Sequence, residues 1–421
     1  MKSKLSFSFL LLVTNLLFFT CKTEPTGPQP ISATEVESSL QKILIEAKSG
    51  EMILLPEGTF SFKRALSFND IPNVTIKGMG KGKTILSFKN QIEGAEGMIL
   101  KNAKNLKLEG FTVQDSKGDA IKVQACENVT FRDLETTWTN GASPENGGYG
   151  IYPVSCTNVL IEKCEASYAM DAGIYVGQTT NAVVRDNYVH HNVAGLEIEN
   201  TRNAEVYKNT AKQNAAGMLI FDMPDLPQAN GYKVKFYDNH MEDNNGENFS
   251  KPGIVVNTLP SGTGMLIMAH KDIEVYNNTI KNHKSMGIGI NSWIFTGQPF
   301  ESKEFDPFCS NINIHDNVIT ETNGPAIPTT DFGKLLYAIC GEESPDIIIV
   351  GIFNPATLDK NGKPTGFCFK NNGDITFRNM NAAMGATPED IVKNMNDDIS
   401  IFDCEMPSFE LGDFDKWLAK K

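Results

Sequence analysis

Histidine is scarce in this sequence, with six in 421 residues. No HExxH pair, Ser-His-Asp order, CxxCH haem site or Gly-rich phosphate loop is present, so the commonest hydrolase, haem and nucleotide chemistries have no foothold. The eight cysteines show no CxxC spacing and hence no metal pattern. Positive charge is also short: 38 Lys and Arg face 51 Asp and Glu, a net charge of -13. That argues against a nucleic-acid partner. It also disfavours anionic polymers unless a cation or a local basic patch intervenes. Beyond the N-terminus no apolar run is long enough to span a bilayer. Hydrophobic residues still make up 40%, enough for a sizeable core.

The N-terminus reads as an export leader. Lys2 and Lys4 precede the apolar run "LSFSFLLLVTNLLFF", which is too short for a membrane span. It ends at "LFFTC", which resembles the lipobox of bacterial lipoproteins, with Cys21 as the lipidated residue. Residues 1–20 are therefore expected to be a signal peptide and 21–34 a tether. The protein is expected to be exported and held at a membrane of the cell envelope by lipid. Setting Cys21 aside leaves seven cysteines, so some can pair and at least one stays free.

Repetition decides the fold. "AGIYVGQ" (172–178), "AGLEIEN" (194–200) and "AGMLIFD" (216–222) align without gaps, their glycines 22 residues apart. A second motif alternates with them, as "NVLIEKC" (158–164), "NAVVRDN" (181–187) and "NAEVYKN" (203–209), and recurs down the chain. Each unit holds short runs of period-two alternation ended by Asn or Gly, with no room for a crossover helix. Such a unit suits one turn of a single-stranded, right-handed parallel β-helix, an all-β solenoid. Ile174 and Val176, Leu196 and Ile198, Met218 and Ile220 are expected to stack inward. Asn187, Asn209, Asn239, Asn278 and Asn317 are expected at αL bends.

An open solenoid end invites pairing and needs a cover. Val36, Leu40, Ile43, Leu44 and Ala47 fall on one helical face, which predicts a capping helix over 35–50 with a Thr34/Glu37 capping box. The β-helix is expected over 51–323. Residues 324–370 break the repeat and read as an inserted loop; 371–421 read as the last coil or coils and an irregular tail.

The phrases "YGIYPV", "DAGIYVGQ", "NVAGLEIEN", "FDMPDLPQ" and "GTGMLIMA" resemble a family of exported bacterial proteins with tandem right-handed β-helix repeats. The wider superfamily is pectate-lyase-like and includes lyases, epimerases and hydrolases of polysaccharides. The resemblance implies a carbohydrate ligand or substrate, or an exported c-type cytochrome as a docking partner. One departure is informative. Alginate epimerases and related lyases carry Asp and His where "GIYPV" has Tyr152 and Val154, which disfavours that chemistry here.

The register places Tyr152, Tyr175, Glu197 and Leu219 in one outward column, and Val154, Gly177, Glu199 and Phe221 in the next, followed by Asp222. Tyr152, Tyr175, Glu197, Glu199, Phe221 and Asp222 are thus candidate ligand contacts, because aromatic faces beside acids and amides suit sugars. Glu197 and Glu199 share a face and admit three readings: an acid–base pair, oxygen ligands for calcium, or a solvated patch. As ionised acids they would repel a uronate. Tyr149, Tyr152, Asp171, Glu197, Glu199 and His191 are the candidates for catalysis, with His191 and His190 the bases nearest the groove. Cys126 and Cys156 occupy equivalent places on neighbouring coils, which predicts a disulfide.

Overall fold

The computed structural model describes residues 30–383, 385–412 and 414–418. Cys21 and the expected leader lie outside them. Among the described residues no helix is long and apolar enough to cross a membrane.

The alternating runs form three parallel sheets of 11, 10 and 11 strands, wound as a right-handed β-helix. Each coil but the last gives one strand to each sheet, as Arg202–Tyr207, Thr210–Lys212 and Ala216–Phe221 do. Ile174, Leu196 and Met218 stand in register, as do Val176, Ile198 and Ile220. All six are fully buried. Each such side chain contributes roughly 1.5–3 kcal/mol of burial, so the stacks bind coil to coil.

The bends differ from expectation by one residue. The αL positions are Asp186, Lys208, Asp238, Asn277 and Asp316, with φ of 53–56°. The asparagines that follow them turn inward and are buried. Asn187 Nδ2 donates to Asn209 Oδ1 at 2.9 Å, and the chain of amides continues through Asn239, Asn278 and Asn317. Each Oδ1 also accepts a backbone N–H at the bend of the preceding coil, as Asn209 does from Asn187 N. A polar group inside the solenoid must be paired, and stacking pairs them all.

The front cap is the helix Ala33–Glu46, with Val36, Leu40 and Leu44 buried. The expected capping box does not form. Ser32 occupies the N-cap without a side-chain bond to the helix backbone, its hydroxyl meeting Thr34 Oγ1 at 2.8 Å, and Glu37 instead accepts Ser61 N at 2.6 Å. Residues 324–370 are more than a loop. They hold the helix Asp331–Cys340 and the strands Ile347–Ile349 and Phe367–Lys370, which extend the third and first sheets. Phe402 closes the far end against Phe369 and Phe377, at ring separations of 5.0 and 5.5 Å.

The tail then turns back along the outer face of the first sheet. Cys404 is bonded to Cys368, Ser408 meets Lys235 and Glu274, and Gly412 N donates to Asn203. Phe414 and Trp417 cover Leu160 and Val183. Cys126 and Cys156, the expected disulfide, are free and buried. Residues in parallel register hold their side chains side by side about 4.8 Å apart, wider than the Cβ separation of about 3.8 Å that a disulfide takes. Each thiol instead donates to a carbonyl two residues back, Gln124 O and Val154 O.

Candidate functional site

The outward columns of the third sheet follow the sequence reading. Lys122, Tyr152, Tyr175, Glu197 and Leu219 stack in one column. Gln124, Val154, Gly177, Glu199 and Phe221 stack beside it. The expected exposure is not found beyond Tyr152. Tyr175 is 7% exposed, Glu197 2% and Glu199 1%. Segments inserted between coils lie over this part of the face. Val256 and Leu259 from one, and Trp293 and Phe305 from another, pack with Tyr175, Leu219, Phe221, Leu266 and Met268 as a second apolar core outside the solenoid. The acids therefore sit at a border, with water-facing polar residues on one side and a covered hydrophobic layer on the other.

At that border three tyrosine rings meet. Tyr149 lies 4.6 Å from Tyr152 and 4.4 Å from Tyr175, centroid to centroid, and Tyr152 meets Tyr175 edge-on at 5.2 Å. Tyr149 and Tyr152 remain half-buried. Lys122 Nζ stands 4.9 Å over the Tyr152 ring and 3.7 Å from Asp119 Oδ2. Asp119 Oδ1 accepts Tyr149 N at 3.3 Å. The Tyr149 hydroxyl is a neighbour of the Asp171 carboxyl, and Tyr175 of Glu199. Gly177 makes the last contact possible: a Cβ there would come within 2.8 Å of both Glu199 Oε2 and the Tyr175 ring. Glu199 Oε1 is buried without a hydrogen-bond partner.

Burial sets the charges. It pushes Asp119 up to about 6, Asp171 to about 7 and Glu199 to about 8, and it holds Glu197 and Asp222 well above the usual carboxylate range. Glu199 therefore mostly keeps its proton at neutral pH and the charge of Glu197 is disfavoured by the same burial, so the repulsion of a uronate expected from two ionised acids is weakened. Burial, reinforced by the neighbouring acids, also raises Tyr149 and Tyr152, so the deprotonated form that could act as a base is scarcer at neutral pH than in free tyrosine.

A family model described as a right handed beta helix region matches residues 141–295. These residues carry the tyrosines, the buried acids and most of the cover. No curated protein matches the chain in sequence. Among solved structures, the A-module of a mannuronan C-5 epimerase from Azotobacter vinelandii is similar at 16% identity over 71% of each chain, with a TM-score of 0.46. The N-terminal fragment of bacteriophage Phi29 gene product 12 is similar at 16% identity over 73% of this chain and 56% of that one, with a TM-score of 0.47. An exopolygalacturonase from Thermotoga maritima is similar at 16% identity over 64% of this chain and 75% of that one, with a TM-score of 0.44.

Within this right-handed β-helix, Tyr149, Tyr152, Asp171, Tyr175, Glu197 and Glu199 come together. Phe221 is absorbed into the covered apolar layer. Asp222 is buried, accepts Gly231 N at 2.8 Å and lies 3.8 Å from the equally buried His270. His191 is not at the site: its ring stacks on Tyr168, and its Nδ1 lies 2.8 Å from that of His190. His190 belongs to a strand of the second sheet, so the histidines expected near the groove face another side of the solenoid. Among the described residues no three His, Cys, Asp or Glu side chains converge as a metal would require. Asp119 and Lys122 complete the border and were not anticipated. Their signal is "DAIKVQ" (119–124), which pairs with "YGIYPV" but has Ala120 where the two adjacent coils have Gly97 and Gly150.

Proposed function

We propose that this is an exported, lipid-anchored β-helix protein that binds carbohydrate at the border between the open and covered parts of its third sheet. The observation that carries the reading is the meeting of three tyrosine rings with Asp119, Lys122 and Asp171, half-open to water. Ring faces take the apolar side of a sugar, and the acids and the amine take its hydroxyls. The same set supports proton transfer. Near pH 7 Asp119 is mostly ionised while Glu199 is mostly protonated, an acceptor and a donor flanking one tyrosine. Alginate-type epimerisation is not part of the proposal, because Val154 cannot transfer a proton and burial keeps Tyr152 protonated.

A glycan panel tests it. The full chain should bind at least one oligosaccharide, and Tyr152→Ala should weaken that binding by about tenfold, the equivalent of one good contact. A panel on which neither protein rises above background would sink the reading. For the anchor, Cys21→Ser should move the protein from the membrane fraction to the soluble one.

A further inference from the structure

The border is also an end. Along one outward column Lys122 and Tyr152 are half-open, and the next residue, Tyr175, is nearly closed. Along the other, Lys101 and Gln124 are half-open, and Val154 and Glu199 are buried. The face thus closes within about one coil spacing of 4.8 Å. What closes it is fastened on both flanks. On one flank Lys251 reaches back across the coils to Glu145 at 3.7 Å, and its N–H meets Met170 Sδ at 3.5 Å. On the other, Asn200 binds the carbonyls of Met223, Gln228 and Ala229, while Asp225 accepts the N–H groups of Glu301 and Ser302. A polymer lying along the open coils therefore meets a wall at Tyr175 and cannot continue across it.

The wall holds polar atoms at its edge. The missing side chain of Gly177 leaves room in its column that the Glu199 carboxyl and the Tyr175 ring fill. Glu199 Oε1, buried and without a partner, is a hydrogen-bonding atom left over by the fold. The terminal unit of a polysaccharide differs from an internal one in carrying a free hydroxyl where the internal unit carries a linkage.

We infer that the site takes a chain end, with the terminal sugar seated on Tyr149 and Tyr152 against the wall and its free hydroxyl directed to Glu199, the following units running out over Lys122 and Lys101. This rests on the carbohydrate reading above and narrows it to the terminus of a saccharide chain.

The test uses the full chain and a polysaccharide that binds in the panel. At constant mass of polymer, halving its mean length should double the amount of protein bound at saturation, because ends and not length are counted. An oligosaccharide alkylated at its terminal hydroxyl on one end should lose binding, and the same oligosaccharide blocked at the other end should keep it. Saturation independent of length, or equal binding by both blocked forms, overturns the inference and leaves the carbohydrate reading intact. Failure to bind any polysaccharide or oligosaccharide overturns both.

Discussion

Tyr152 and Leu219 stand in the same column of the same sheet, separated by the strands Ala172–Gly177 and Ala194–Glu199. One is half-open to water and touches a lysine; the other is sealed under Val256, Leu259 and Trp293. Both point outward. Strand alternation decides only which residues leave the solenoid interior. What they meet outside is decided by the connections between coils. Where these are tight the outer face meets water; where long segments are inserted it becomes a second core, and the outward residues turn apolar to match. The acids Glu197 and Glu199 lie where one regime gives way to the other.

Removing the cover should be the most damaging way to erase this difference. Trp293→Ala deletes a ring packed edge-on to Phe305 and should cost about 3–5 kcal/mol, the usual range for a buried large-to-small change. A urea titration measures it, and a loss no larger than that of a surface substitution would show that the cover is not a packed layer. The next effect concerns the acids at the border. The Glu199 carboxyl ionises near 4.5 when unfolded and near 8 in place. Between those values the unfolded chain sheds its proton and the folded one keeps it, so stability falls as pH rises through the window. Glu199→Gln should flatten that fall by about one proton of linkage, read from denaturation at several pH values. An unchanged slope would place Glu199 in contact with water. The smallest effect is expected on the open side. Lys122→Ala should change stability by less than about 0.5 kcal/mol yet weaken glycan binding, which separates a binding residue from a structural one.

Much of this was legible. The 22-residue spacing of Gly173, Gly195 and Gly217 fixes coil and register together, and with them the stacking of Tyr152, Tyr175 and Glu197. The burial of the acids was not legible, because the segments that cover them repeat nothing and their apolar residues carry no period. Asp119 and Lys122 escaped notice because Ala120 removes the glycine that marks the register. The spacing of the inward asparagines is legible and marks the bends; a side chain that stacks on its own image in the next coil leaves no mark in a single repeat. Cys126 and Cys156 show the opposite error. Equivalent positions in a parallel stack are close, but held parallel, and closeness alone does not make a bond.

The returning tail has a consequence for how such a molecule comes apart. A solenoid is nearly one-dimensional, each coil supported by its neighbours alone, so the terminal coil is the natural place for unravelling to begin. Here the segment after Cys404 ties the last strand of the first sheet, through Glu274 and Asn203, to Leu160 and Val183 in the middle of the stack. The final coils cannot peel away one at a time without first lifting this brace. Fraying from that end is thereby replaced by a more all-or-none opening, in a molecule whose sheets join only adjacent turns.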